Sequence, residues 1–354
     1  MNKTTMLLLI AGLYAATAHA GHSDYLSSLT SSAREKGLGK DSLELLIPQP
    51  GPGKEQAATK LRSLLAQGTL GSGLTVKLGR PTQQGKKGVS YVTDKGSLEV
   101  FADGSRFRMR GNLDAVKPLP SGNKAPLAAD RLEKLGRDFV SQQLKAFVAI
   151  PRGEKLTFLG TKNLRQGGSD LQGKRRSEEL FASIAIFGRE VGGVPVVGSG
   201  SKIAVWFNPD GQVIGADVDW PKYRRSGENV PLLKRDALFK RVEASTTRFS
   251  ENKESKMTRF ECGYVDLGAT RRSTKTPIQP GCSVAYQGYD PESAATSWAK
   301  VEYVPAAQKV IPDKRWPLAV YIAGSGEPEL GKQIPVRGEE PPKDAPQRTI
   351  ETEK

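Results

Sequence analysis

Apolar positions along the chain change period several times, and each change marks an element. Ala57, Ala58, Leu61, Leu64 and Leu65 recur at helical spacing and predict a helix over 55–67, stopped by Gly68. From 74 to 111 the period becomes two. Leu74, Val76 and Leu78, then Leu98 and Val100, then Phe107 and Met109 alternate with polar residues. Asp94-Lys95-Gly96 and Ala102-Asp103-Gly104 fall between these runs as hairpin turns, so the stretch predicts an antiparallel meander packed on the preceding helix. A second helix is expected over 126–147, where Leu127, Leu132, Leu135, Phe139, Val140, Leu144 and Phe147 form one stripe. Asp130 and Glu133 near its start suit the positive end of the helix dipole.

Strands are expected next at 155–160, 180–191 and 202–220. The last is split by Asn208-Pro209-Asp210-Gly211, in which proline presets one dihedral and glycine accepts a positive one. A third helix over 232–248 leads into short strands around 262–267, 282–286, 299–304 and 318–322. The order of one helix followed by strands thus occurs three times. It predicts an α+β fold of repeated helix-plus-antiparallel-sheet units over 21–120, 121–226 and 227–326. Residues 21–47 read as mostly polar, with one amphipathic stretch at 41–46, and end at the Pro48-Gln49-Pro50-Gly51-Pro52-Gly53 breaker. After Gly326, five prolines interrupt a charged, apolar-poor stretch, so 327–354 is expected to be a disordered tail.

The amino end follows a different grammar. Lys3, the apolar run from Met6 to Thr17 and the small-residue site Ala18-His19-Ala20 predict a signal peptide over 1–20, cut between Ala20 and Gly21. A run of about a dozen residues is too short to cross a hydrocarbon core of roughly 30 Å. No later run reaches that length, so the expectation is a periplasmic or secreted bacterial protein with no transmembrane segment once processed. In an oxidising compartment, the two cysteines, Cys262 and Cys282, predict a disulfide. Closing a loop of about 20 residues stabilises a fold by roughly 3 kcal/mol in the chain-entropy model.

Charge narrows the partners. The chain carries 53 Lys and Arg against 38 Asp and Glu, a formal +15, and loss of Lys3 with the signal lowers this by one. Such a balance favours anionic partners: envelope polysaccharide, lipid headgroups, extracellular DNA or an acidic protein. Basic clusters stand at Lys174-Arg175-Arg176, Lys222-Tyr223-Arg224-Arg225 and Arg271-Arg272-Ser273-Thr274-Lys275. Their arginines, Arg175, Arg176, Arg224, Arg225, Arg271 and Arg272, are candidate anion-binding residues because guanidinium forks pair bidentately with phosphate, sulfate and carboxylate. Scattered solvated charge is the alternative reading of the same clusters.

Histidine informs by its scarcity. His19 leaves with the signal, and His22 becomes the second residue of the processed chain. No imidazole remains within the fold for a Ser-His-Asp or Cys-His nucleophile, His-Glu-x-x-His is absent, and His22 reads as part of a disordered terminus more readily than as a copper ligand, so no metal or cofactor is expected. Ser121-Gly122-Asn123-Lys124 and Ser250-Glu251-Asn252-Lys253 fit Ser-x-x-Lys but lack its partner motifs. Asp217 and Asp219 lie two apart on an expected strand and face one side, as paired acids or calcium ligands would, but one pair cannot supply the six to eight oxygens of a calcium site and strand-edge solvation accounts for them more readily; glycosidase chemistry, which needs only two carboxylates, is not excluded by the missing histidine. An aromatic content of 7% is low for a sugar cleft. Gly198-Ser199-Gly200-Ser201-Lys202 lacks phosphate-loop spacing and leads into a strand, so it reads as a turn.

The stretch Phe187-Gly188-Arg189-Glu190-Val191-Gly192-Gly193-Val194-Pro195-Val196-Val197-Gly198, followed by a strand, the Asp210-Gly211 hairpin and a return strand, carries a family resemblance. With the helix before it, about 126–223, it resembles the PepSY and thermolysin-propeptide-like domains of secreted bacterial proteins. The resemblance implies a non-catalytic role, since such domains inhibit or help fold secreted proteases or serve as envelope binding modules. No catalytic domain follows here, which leaves a stand-alone binding role toward a protein partner or an anionic envelope polymer. A carboxylate-dependent hydrolase of an envelope polymer is the alternative.

Overall fold

The computed structural model describes residues 39–68, 70, 78–120, 126–166, 179–250, 255–269, 271–289, 296–309 and 311. Alternating apolar residues form strands wherever the pattern has period two. In chain order the elements begin with β1 (Ser42–Pro48), α1 (Lys54–Ala66), β2 (Gln83–Gly85), β3 (Gly88–Thr93), β4 (Gly96–Phe101), β5 (Arg106–Gly111), β6 (Leu119–Pro120) and α2 (Ala129–Gln142). Then come β7 (Glu154–Gln166), β8 (Glu179–Val191), β9 (Val194–Val197), β10 (Lys202–Phe207), β11 (Val213–Asp219) and β12 (Tyr223–Pro231). The last are α3 (Arg235–Ser250), β13 (Ser255–Val265), β14 (Pro280–Tyr289) and β15 (Thr296–Pro305). The helices fall close to where the apolar stripes predict them. The second is shorter than the 126–147 stripe, because after Gln142 the chain enters a turn in which Phe147 and Val148 both donate to the Leu144 carbonyl.

The expected class is corrected. The chain is mostly β-sheet, with a large mixed sheet, and is not an array of repeated helix-plus-antiparallel-sheet α+β units. The reason lies in the strand edges. An unpaired edge exposes a row of N–H and C=O groups, and pairing across the expected unit boundaries removes it. β5 hydrogen-bonds β11 in antiparallel register, with Phe107 opposite Val218, and β9 runs parallel to β13, with Val196 opposite Tyr264. The result is one sheet ordered β15-β14-β13-β9-β8-β10-β11-β5-β4-β3-β2, with β6 and β7 also paired to β8. Periodicity reports which face of a strand is apolar, and carries nothing about which edges meet.

Strands outside the expected pattern include β1 and β12. β1 lies in the segment that reads as polar with an amphipathic stretch, and β12 begins within the basic cluster at 222–225. They pair with each other, Leu43 opposite Val230, as a separate two-stranded ribbon. The expected strands at 74–78 (but for Leu78) and 318–322, the tail and the amino end lie outside the described residues.

α1 and α2 share one face of the sheet. Ala57, Ala58, Leu61 and Leu65 of α1 and Leu132, Phe139 and Val140 of α2 are buried in one core with Leu98, Val100, Phe107, Ile203, Val205, Phe207, Ala216 and Val218. Gly136 lets α2 approach closely, since a Cβ there would stand 2.6 Å from the Phe187 ring. α3 makes a second core, in which Val242, Leu238 and Phe239 meet Met257, Phe260, Val284 and Val304. The Cys262–Cys282 disulfide lies within it and joins residues directly opposite on β13 and β14, Cα–Cα 4.0 Å. Among the described residues, no helix is long and apolar enough to cross a membrane.

Candidate functional site

Side chains alternate across a strand, so the residues between those of the α1–α2 core point to the opposite face of the sheet. On β5 these are Arg106, Arg108 and Arg110, on β4 Ser97, Glu99 and Phe101, on β11 Gly215, Asp217 and Asp219, and on β10 Lys202, Ala204 and Trp206. Register sets their neighbours. Arg108 stands opposite both Glu99 and Asp217, Arg110 opposite Ser97 and Gly215, and Arg106 opposite Asp219. Among the described residues no helix packs on this face. A column of arginines thus runs down an open sheet, with aromatic rings on both sides.

Each arginine is held differently. Arg110 is anchored: its guanidinium lies 4.1 Å from the Trp206 ring centroid and donates to Asp217 Oδ2 at 2.6 Å and to the Met109 carbonyl at 2.9 Å. Asp217 Oδ2 also accepts from Trp206 Nε1 at 3.0 Å, which fixes the ring. Arg106 lies over the Phe101 ring at 4.2 Å and Arg108 at 6.0 Å. Arg108 approaches Asp217 Oδ1 at 3.4 Å and Glu99 Oε2 at 3.5 Å, and its side chain is 50% exposed. Neither Arg106 nor Arg108 donates a side-chain hydrogen bond among the described residues, and Asp217 Oδ1, shielded from solvent, accepts none. The five N–H donors of Arg106 therefore lie beside the ring unspent, and those of Arg108 are engaged only in two long ion pairs.

One end of the face is closed by the loop after β13. Arg272 Nη2 donates to Asp219 Oδ1 at 2.6 Å and to Asp266 Oδ2 at 2.8 Å, and its side chain is 4% exposed. Asp266 also accepts from Tyr223 Oη at 2.6 Å and from the Gly268 N–H at 3.0 Å, while the Ala269 N–H donates to Asp219 at 3.0 Å. Burial pushes the Asp219 carboxyl up to about 6, with the Arg272 charge opposing and the neighbouring Asp266 charge adding to the push. For Asp266, burial also acts upward, but Arg272, Tyr223 and Gly268 together hold it below the ordinary carboxylate value. Burial acts against the Arg272 charge as well, and the two carboxylates more than offset it, raising its pKa.

The turn at Gly198–Ser201 wraps Asp266. The Gly200 N–H donates to the Asp266 carbonyl at 3.0 Å, and a Cβ on Gly200 would stand 2.2 Å from the Asp266 carboxylate. Lys202 follows and donates to the Val196 carbonyl at 2.8 Å. Burial lowers its pKa to about 8. Beside this cluster, Arg189 is buried against Glu154, with its guanidinium over the Trp220 and Tyr223 rings at 4.9 and 4.5 Å.

The arginines expected from the basic clusters do not assemble into one surface. Arg175 and Arg176 lie outside the described residues. Arg224 and Arg225 are exposed on β12, where Arg225 pairs with Glu44 at 3.0 Å. Arg271 is exposed on the loop whose next residue, Arg272, is consumed inside. The arginines of β5 were missed because attention to contiguous runs overlooks a period of two. The signal was present in Arg106-Phe107-Arg108-Met109-Arg110, a cation at every second position of a strand. Asp217 and Asp219 do share a face, but each is tied to arginine. Among the described residues no three side chains from His, Cys, Asp and Glu converge as a metal site requires.

No protein-family model matches the chain, and no curated protein matches it. Among solved structures, an uncharacterized protein from Eubacterium rectale is similar over 76% of this chain and 85% of its own, with 10% identity and a TM-score of 0.49.

Proposed function

We propose that the protein is an exported, non-catalytic binding protein that engages an anionic partner on the open sheet face, through Arg106 and Arg108. The observation that carries this reading is the pair of guanidiniums beside the Phe101 ring, Arg106 with no ion pair among the described residues and Arg108 with two loose ones. Stacking orders them before a partner arrives, so less side-chain entropy is lost on binding. The formal +15 of the chain adds long-range attraction for polyanions. The amino-terminal signal grammar supports export to the periplasm or exterior, and the Gly193-Val194-Pro195-Val196 pattern supports the likeness to PepSY-type modules that bind envelope components or proteases.

Gel retardation in immobilised polyanions tests the reading. Arg106→Ala with Arg108→Ala is expected to lose most of the retention, whereas Arg224→Ala with Arg225→Ala, which removes the same charge elsewhere, keeps it. Equal behaviour of the two double variants overturns the assignment of the face.

A carboxylate-dependent hydrolase is the second reading, favoured by one observation: Asp217 and Asp219 face the same side of β11, and Asp219 is pushed up to about 6, where an acid can donate at neutral pH. It predicts polymer turnover that Asp219→Asn abolishes. Absence of new reducing ends after prolonged incubation with acidic and neutral glycans removes it.

A further inference from the structure

The anion-binding face also presents acceptors, and this decides among anionic partners. We propose that its partner is a linear acidic polysaccharide bearing carboxylates, an inference that rests on the anion-binding role assigned above to Arg106 and Arg108. Glu99 and Asp217 flank Arg108 in register on β4 and β11, and the Glu99 side chain is 42% exposed. A phosphodiester backbone offers acceptors and no donors, so these two carboxylates repel it. An acidic polypeptide offers carboxylates with one backbone N–H per residue, a donor fixed in the peptide plane. A uronic-acid polymer carries both halves of the match. Its carboxylates accept from the guanidiniums of Arg106 and Arg108, and its hydroxyls donate to the exposed Glu99 carboxylate.

Geometry favours an extended polymer. Arg106, Arg108 and Arg110 repeat along one strand at roughly 6.8 Å, and the neighbouring strands lie about 4.8 Å to either side. Trp206 and Phe101 flank the column on β10 and β4, each bearing a guanidinium, so the surface presents charged planes with carboxylates between them. Such a surface reads repeated charge and hydroxyl along a chain. The closed end at Arg272 and Asp219 sets one limit of the track.

The experiment is calorimetric titration of the purified protein with polygalacturonate, single-stranded DNA, polyglutamate and neutral dextran, at equal charge concentration and moderate salt. The expected result is binding of polygalacturonate at least ten-fold tighter than either other polyanion, with none to dextran. Arg106→Ala with Arg108→Ala weakens it at least ten-fold, and Arg106→Lys with Arg108→Lys, which keeps charge and loses the fork, weakens it less. Glu99→Gln separates the classes by sign. It weakens glycan binding by about ten-fold when a hydroxyl donates to the carboxylate, and tightens binding when the face is only a cationic patch.

DNA or polyglutamate binding as tight as polygalacturonate, or a tightening by Glu99→Gln, overturns the polysaccharide assignment. If those other polyanions bind through Arg106 and Arg108, the anion-binding reading survives that failure. If none of the polyanions responds to the double alanine variant, both fall. Both arginines, like Glu99, face away from the core, and the lysine variant keeps the test decisive should the alanine variant fold poorly.

Discussion

Arg272 and Arg108 each lie between two carboxylates, and they do opposite work. Arg272 holds Asp219 and Asp266 at 2.6 and 2.8 Å with its side chain 4% exposed, while Arg108 meets Asp217 and Glu99 at 3.4 and 3.5 Å with half of its side chain in water. In the interior, every donor must find an acceptor, because an unpaired charge there costs several kcal/mol. At the surface, water fills the gap and the same arrangement costs little to open. The charge pattern is therefore structural at one end of the sheet face and available for exchange with a partner along its middle.

The comparison is broken most forcefully from the buried side. Arg272→Met should cost about 3–5 kcal/mol, because it strands two carboxylates away from water. Urea denaturation at neutral pH should show a lower midpoint at an unchanged slope. The deficit should shrink on acidification as the stranded acids take up protons. A loss below about 1 kcal/mol would place Arg272 among surface pairs, and the contrast with Arg108 would vanish. Next in size, replacing Cys262 and Cys282 together by Ala should cost roughly 3 kcal/mol through the released loop, measured in the same way. Binding of polyanions by the alanine variant should be unchanged, because the disulfide lies on β13 and β14, away from the arginine column.

How much of this was legible in the sequence depends on which interactions are local. α1, the hairpin at Asn208–Gly211 and the meander of β3, β4 and β5 follow from spacing and turn chemistry, since their contacts lie close along the chain. The merged sheet does not, because β5 meets β11 and β9 meets β13 across long separations that no periodicity encodes. β12 reads as a cluster of cations, and its strand character comes from pairing with β1. The same limit governs the site. Arg271 and Arg272 are adjacent in sequence and equivalent by composition, yet Arg272 is consumed by acids from β11 and the loop after β13. The column at Arg106, Arg108 and Arg110 was readable only as a two-residue period, which also shows the arginines facing away from Phe107 and Met109 of the core.

Acidity sharpens the contrast by acting on the buried cluster. Asp219 has a folded-state pKa of about 6 against 3.8 unfolded, so between those values the folded protein binds a proton that the unfolded chain does not. Stability from this group therefore declines as pH rises through that window and is level above it. Asp266 works the other way: its pKa is depressed, so its contribution is present above the unfolded value and is lost as pH falls below it. Asp219→Asn should reduce the decline between about pH 4 and pH 6, leaving the part that comes from Glu154, whose carboxyl burial also raises, as denaturation midpoints across that range would show. A decline that persists undiminished in the variant would move its origin to another group.

The smallest expected effect is the one that separates the two arginines. Arg108→Ala should change stability by less than about 1 kcal/mol, because two loose pairs in water contribute little. Half-molar salt should erase even that difference, since screening at that strength acts within a few ångströms of exposed charges. The buried pairs around Arg272 are shielded from the same ions, so the Arg272→Met deficit should persist in salt. Parallel denaturation of both variants at low and high salt checks this directly. If Arg108→Ala proves as costly as Arg272→Met and as insensitive to salt, the open face is part of the scaffold, and a partner has no exchangeable arginine to meet there.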